Sequence, residues 1–197
     1  MLCVTLKNFI RACAPVSGGI SDILVFDPED FNFTQAAQIA GVDQPYTVAA
    51  LRTGAEGPGA VMFEINFQQD EAEWTWKQST KGCSTKYDHE FKFQLPENSQ
   101  ALTTFLQALD AASCCCGLGM VVRLNNGKIF IAGEKYVNAS SIGRFTIKHD
   151  GSEGGSGKLY DDFNGGNLVL KGPYSRNLFE FTGLWTAIET LMIEPAP

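Results

Sequence analysis

No apolar run in this 197-residue sequence approaches the roughly 18 residues that a bilayer-spanning helix needs. Residues 1–15 are interrupted by Lys7, Asn8 and Arg11, which spoils the apolar centre of a secretory signal. The chain therefore reads as leaderless and made in the cytoplasm, with no membrane partner, and Asn138-Ala139-Ser140 is a chance glycosylation sequon. Basic residues are scarce. Fifteen Lys and Arg against 22 Asp and Glu leave a net charge of −7, with no Lys/Arg cluster, so charge-driven capture of a nucleic-acid backbone is not expected. Histidine is rarer still: His89 and His149 each sit in a strand pattern with no second ligand at metal spacing, and both read as structural. Six cysteines include no C-x-x-C pair. Cys114, Cys115 and Cys116 are consecutive and cannot converge on one tetrahedral metal, while Cys3, Cys13 and Cys83 are scattered, so small buried thiols are the expectation and a Cys3–Cys13 contact stays open. No metal or cofactor is expected.

What the chain has is aromatic residues and glycine. Fourteen Phe, five Tyr, three Trp and 20 Gly, with 19% charged residues, favour strands and tight turns over a helical bundle. The length suits one domain over residues 1–197. Ile23 to Phe26 reads as a short buried strand. Pro28, Gly41, Pro45, Gly54, Gly57, Pro58 and Gly59 break up residues 27–60, leaving one strand near Tyr46 to Leu51 and the rest as contact loops.

From Val61 the pattern sharpens. Val61, Phe63, Ile65 and Phe67 alternate with Met62, Glu64, Asn66 and Gln68, which predicts a half-buried strand. Trp74 to Lys77, and Tyr87 to Leu95 with Phe91, Phe93 and Leu95 on one face, predict a meander turning at Lys81-Gly82. Glu64, Asn66, Gln68, Glu90, Lys92 and Gln94 fall together on its polar face. Pro96 ends that strand, Asn98 or Ser99 caps a helix, and Leu102, Phe105, Leu106 and Leu109 follow its 3.6-residue period. Gly117 and Gly119 end the helix, and a hairpin from Met120 to Ala132 turns at Asn126-Gly127, the preferred dipeptide of a type I′ turn. Arg144 to His149 alternates as a strand and leads into a glycine-rich contact loop over residues 151–166. Asn167 to Lys171 and Asn177 to Thr182 supply the last strands, and Leu184 to Met192 reads as a short amphipathic helix or a tail, in a C-terminal extension over 184–197. The fold class is therefore mainly β, an antiparallel β-sandwich or barrel with one flanking α-helix.

Catalytic patterns fail on inspection. Gly154 to Lys158 lacks the phosphate-loop spacing, because Leu159 stands where that loop needs Ser or Thr. Asp161 and Asp162 lack the twelve-residue calcium-loop pattern and read as turn residues. An enzyme is not expected. Trp74 and Trp76, two apart and so on one face, would suit a sugar platform with Phe163 in a glycan-binding β-sandwich, or a subunit contact, where Trp is enriched. The contact is favoured.

Three segments then occur in a telling order: Tyr87-Asp88-His89 with Glu90 to Phe93, the hairpin Gly119 to Gly133, and Gly154 to Gly172 with its Asp161-Asp162-Phe163-Asn164-Gly165. Over roughly residues 83–172 this order resembles the tail tube-like structural proteins of phages and prophages of Bacteroidetes bacteria, in which a Y-x-H strand, a helix, a valine-rich NG hairpin and an SGxxxxDxNG loop follow one another. The opening C-x-x-x-x-GGI is similar too. The resemblance implies a virion structural protein made in the bacterial host. Its copies would form stacked rings, usually of six, around a channel for DNA that passes without sequence-specific binding. Its partners would be itself and other tail proteins: tape measure, terminator, baseplate and sheath. On this reading Glu64, Asn66, Gln68, Glu90, Lys92 and Gln94 are the candidate channel wall, and Trp74, Trp76, His89, Asp161, Asp162, Phe163 and Asn164 the candidate subunit contacts. A terminator, baseplate or capsid decoration protein, or the tube of a contractile injection system, would read alike. The triple cysteine, residues 27–60 and the stretch after Gly183 depart from the pattern.

Overall fold

The computed structural model describes residues 18–28, 30–35, 46–50, 61–68, 70–82, 84–96, 98–115, 117–133, 135–138, 141–144, 146–156, 164–174, 177–181 and 183–192. Among these residues thirteen strands and two helices follow in order: β1 Ile20–Phe26, β2 Phe31–Gln35, β3 Tyr46–Ala50, β4 Phe63–Glu64, β5 Ala72–Lys81, β6 Ser84–Pro96, α1 Gln100–Cys115, β7 Gly119–Leu124, β8 Ile129–Ala132, β9 Lys135–Asn138, β10 Ser141–Arg144, β11 Lys148–Gly155, β12 Gly165–Tyr174, β13 Phe179–Phe181 and α2 Trp185–Glu189. A five-stranded sheet in the order β13-β8-β7-β1-β4 faces a four-stranded sheet in the order β11-β12-β6-β5. The strands of both pair antiparallel. The fold is the expected mainly-β sandwich with a flanking helix.

Alternation builds the four-stranded sheet. Phe91, Phe93 and Leu95 of β6 and Leu168 and Leu170 of β12 point inward and are buried, and Ile23, Val25, Met120 and Val122 meet them from the other sheet. The backbone bonds between Leu118 and Ile147, at 2.8 and 3.0 Å, tie the two sheets at one end. α1 closes the sandwich beside β11. Its Ser99 hydroxyl accepts the Leu102 N–H at 3.2 Å, a side-chain cap, whereas Asn98 donates instead to the Gly155 carbonyl at 2.7 Å and to Asn164 Oδ1 at 2.9 Å. At its far end Gly117 takes φ +78°, and a Cβ there would lie 2.2 Å from Thr146, so only glycine lets the chain leave the helix so close to that residue.

The five-stranded sheet buries its second face as well. Leu24, Val121, Ile129 and Ile131 pack there with Phe31, Met62 and Ile188. The predicted C-terminal extension supplies part of that cover, with Ile188 buried and Trp185, Leu191 and Met192 partly buried against the cluster. Met62 donates its N–H to the Leu191 carbonyl at 2.8 Å, and the Arg123 guanidinium stands 4.5 Å over the Trp185 ring.

Four expectations are corrected. The strand over Val61 to Gln68 shrinks to β4, with Met62 and Ile65 buried and Phe63 53% exposed. The segment crosses between the two cores: Met62 belongs to the second and Ile65 to the first, and a crossing breaks period two. The Asn126-Gly127 turn is not type I′, because Gly127 has φ +81° and Asn126 does not share its left-handed backbone. Gly127 donates to the Leu124 carbonyl and Leu124 to the Lys128 carbonyl, both at 2.8 Å, which makes a longer loop. The added residue frees Asn125 to donate from its amide to the Gly18 carbonyl at 2.8 Å. The strand over Arg144 to His149 divides: β10 ends at Arg144 and β11 begins at Lys148. Finally, residues 151–155 of the predicted loop continue β11, paired with Gly165 to Val169. Backbone pairing needs no side chain, so the three glycines among them do not end the ladder, and residues 157–163 lie outside the description. β3 matches the strand expected near Tyr46, and β2 pairs with it as an element the sequence reading did not separate.

Candidate functional site

The face of the four-stranded sheet turned away from the core carries a ladder of charge across all four strands. Alternation places Glu73 of β5, Glu90 and Lys92 of β6 and Lys171 of β12 there together, and the register shift in β11 between His149 and Gly151 brings Asp150 to Lys171. Lys92 Nζ lies 2.7 Å from Glu90 and 3.7 Å from Glu73, and Lys171 Nζ lies 3.2 Å from Glu90 and 2.7 Å from Asp150. The hydrogen bond from Lys92, with that from Lys171, holds the Glu90 carboxyl below its ordinary 4.5 against partial desolvation. Lys92 is raised above 10.5 chiefly by its bond to Glu90, and Lys171 chiefly by its bond to Asp150 and then to Glu90. Three carboxylates thus meet two ammonium groups, so the face is polar and nearly neutral within itself.

Of the six residues expected on one wall, Glu90, Lys92 and Gln94 share this face. Gln68 abuts it, donating its N–H to the Gln94 carbonyl at 2.8 Å, and Asn66 is exposed just before it. Glu64 does not belong. It stands on β4, at the edge of the other sheet, for the reason given above.

The expected contact residues separate likewise. Trp74 is half-buried, its ring centroid 5.9 Å from Phe91 and 5.0 Å from Phe130, and its indole N–H donates to His89 Nδ1 at 3.1 Å. His89 is 1% exposed, so these two residues are joined inside the molecule. Trp76 is 50% exposed and 6.0 Å from the Tyr87 ring. With Trp74 turned inward, the pair does not form an open sugar platform. Asn164 is exposed and held by Asn98, while Asp161, Asp162 and Phe163 lie outside the described residues.

Trp76 opens an arm that sequence reasoning missed. Beyond the last pairing of β12, Tyr174 with Tyr87, β5 and β6 run on as a two-stranded ribbon, and nearly every described residue from 77 to 88 is exposed. Its outer face bears Lys77, Lys81 and Lys86, brought together by the register Ser79↔Lys86 and Lys81↔Ser84. One signal was available: no Asp or Glu occurs from Trp74 to Tyr87 in a chain of net charge −7.

His149, the other histidine, bonds through Nδ1 to Asp110, and its backbone N–H donates to Ser113 Oγ at 2.9 Å. These three residues pin α1 to β11. The serine hydroxyl meets the backbone and not the imidazole, so they do not form a nucleophile with its base. Among the described residues no group of three His, Cys, Asp or Glu side chains is placed to hold a metal ion, and Cys114 is exposed and free. Among the described residues no helix is long and apolar enough to cross a membrane. No protein-family model, curated protein or solved structure matches the chain.

Proposed function

We propose that the protein is a virion structural subunit of the tail tube type, whose copies assemble into rings, six to a ring, stacked around a channel for DNA. The observation that carries this reading is the four-stranded sheet. Its outer strands β5 and β11, ten and eight residues long, each have one strand neighbour among the described residues, although α1 takes the His149 N–H of β11. Strand edges without a strand partner are an aggregation hazard in a monomer and a ready interface in an assembly. β5 of one copy laid along β11 of the next continues the sheet from subunit to subunit, and a head-to-tail contact of this kind closes into a ring. The charged ladder then faces the lumen. Over the ladder itself, carboxylates already matched by lysines offer phosphates neither strong repulsion nor a strong counterion-releasing partner, so DNA slides past. The motif order over roughly residues 83–172 supports the same reading.

Sedimentation across a wide concentration range, followed by negative-stain imaging, tests it. Rings or tubes are expected. Monomers alone at the highest concentration would overturn it, and rings that never stack would favour a terminator or baseplate role over the tube.

A further inference from the structure

Six of the ten lysines in the chain, Lys77, Lys81, Lys86, Lys92, Lys148 and Lys171, stand on the outer face of the four-stranded sheet. Lys92 and Lys171 are taken up by the ladder, and Lys86 pairs with Asp88 at 2.7 Å. Lys77, Lys81 and Lys148 are exposed and have no ion-pair partner among the described residues. On the arm the register sets Lys86 opposite Ser79 and Lys81 opposite Ser84, so past the pair of Lys77 with Asp88 this face holds lysine and serine alone. Lys86 is the diagonal neighbour of both Lys77 and Lys81, at a cross-strand spacing of about 7–8 Å. At the base of the arm the face sinks into a hollow of about 670 Å³, lined by Lys77, Lys86, Lys148 and Lys171 against three carboxylates. Like charges this close repel one another in the free protein, and a polyanion relieves that repulsion.

We infer that this lysine face binds the phosphate backbone of duplex DNA without regard to sequence. Lysine and serine side chains contact phosphates, and the outer face of the arm carries no Arg, Asn or Gln to read base edges. A two-stranded ribbon is also a shape that the major groove admits. Single-stranded nucleic acid is a poorer fit, because it needs aromatic side chains beside the cations, and Trp76 and Tyr87 lie on the opposite face of the ribbon. A net charge of −7 hides the site, since strand pairing gathers lysines that are scattered in sequence. The inference rests on the tail tube reading only for which DNA is bound, the molecule in transit. There the arm lysines extend the lumen face past the neutral ladder, and about three exchangeable phosphate contacts guide DNA without stopping it. The surface itself lies within one copy.

Fluorescence anisotropy of the full chain with labelled duplexes of unrelated sequence, from low to physiological salt, tests it. The duplexes are expected to bind alike, with a slope of about −3 in log K against log salt, as three matched phosphates require. Lys77→Gln with Lys81→Gln should weaken binding by about tenfold or more at low salt and cut the slope by about two units. Lys128→Gln, at an exposed lysine between β7 and β8 on the other sheet, should change neither. Circular dichroism confirms the fold of each variant. Absence of salt-dependent binding would overturn the inference, as would arm variants that bind like wild type, or polyglutamate that displaces the duplex charge for charge. Sedimentation of the same samples keeps the two readings apart. Wild type that binds duplex but stays monomeric removes the tail tube and leaves the surface, whereas rings that do not bind duplex remove the surface and leave the tube.

Discussion

The two sheets differ in how many faces they bury, and that difference decides where function can sit. β1 is buried at four consecutive residues, Ile23 to Phe26, because Ile23 and Val25 point into the sandwich while Leu24 and Phe26 point into the second core. β6 alternates along its length, with Phe91, Phe93 and Leu95 inside and Glu90, Lys92 and Gln94 outside. A sheet covered on both sides reads as an apolar run, and a sheet covered on one side reads as period two. The five-stranded sheet therefore has no open face to present. Its single large exposed apolar strand residue, among those described, is Phe63 at its edge. The four-stranded sheet keeps a whole face for charge and continues past the core as an arm.

The same substitution made once in each sheet breaks this comparison most sharply. Val121 is fully buried in the second core, and Val169 stands half-buried on the charged face opposite Lys92. Val121→Asp places an unpaired carboxylate in an apolar layer, a cost of several kcal/mol against a typical total stability of about 5–15 kcal/mol. The variant is expected to be unfolded or insoluble. Val169→Asp gains a cross-strand lysine and should change stability by less than about 1 kcal/mol in chemical denaturation. Similar losses at the two sites would mean that the outer face is covered after all.

A smaller contrast lies within β5. Trp74→Phe removes the indole N–H that His89 Nδ1 accepts in a buried site, so a loss of about 1–3 kcal/mol is expected. Trp76→Phe at an exposed position should fall within about 0.5 kcal/mol for the monomer. Thermal melts under dilute, non-assembling conditions separate them.

Local periodicity was legible, and long-range closure was not. Phe91, Phe93 and Leu95 announced their buried face because two-residue alternation needs no knowledge of the partner strand, and the helix was read from its own period, with its cap narrowed to Asn98 or Ser99, of which Ser99 serves. The place of the Asn126-Gly127 turn was visible, but its longer form goes with the bond from Asn125 to Gly18, more than a hundred residues away in sequence, which no local pattern announces. Val61 to Gln68 alternated as a strand should, yet the segment serves two cores, and only the fold shows that Met62 and Ile65 belong to different ones. The candidate face divided on the same ground. Glu90, Lys92 and Gln94 lie on one legible strand and stayed together, whereas Glu64 was assigned through the misread strand and landed on the other sheet. The ladder itself was hidden, because Asp150 and Lys171 join Glu90 through pairings that no local pattern announces.

The smallest effect separates the sheets by pH. Glu90→Gln removes the carboxylate that both Lys92 and Lys171 reach, in a ladder exposed enough for water and salt to screen it, so only a small fall in melting temperature is expected near neutrality. Its sign is fixed by direction. A carboxyl held below 4.5 contributes stability that is present above about pH 4.5 and lost as pH falls through its folded value. Lysines held above 10.5 contribute stability that is present below about pH 10.5 and lost as pH rises through theirs. The deficit of Glu90→Gln should therefore be level between about pH 6 and pH 9, then vanish in strong acid, where the wild-type carboxylate is protonated. It should also shrink in molar salt. Leu24→Ala, in the doubly buried sheet, removes apolar contact alone, at about 2–5 kcal/mol, and its deficit should not depend on pH. Melting curves of both variants from pH 2 to pH 9 make the comparison. A Glu90→Gln deficit as large at pH 2 as at pH 7 would mean that Glu90 acts by packing, and the ladder would then be a bystander on its face.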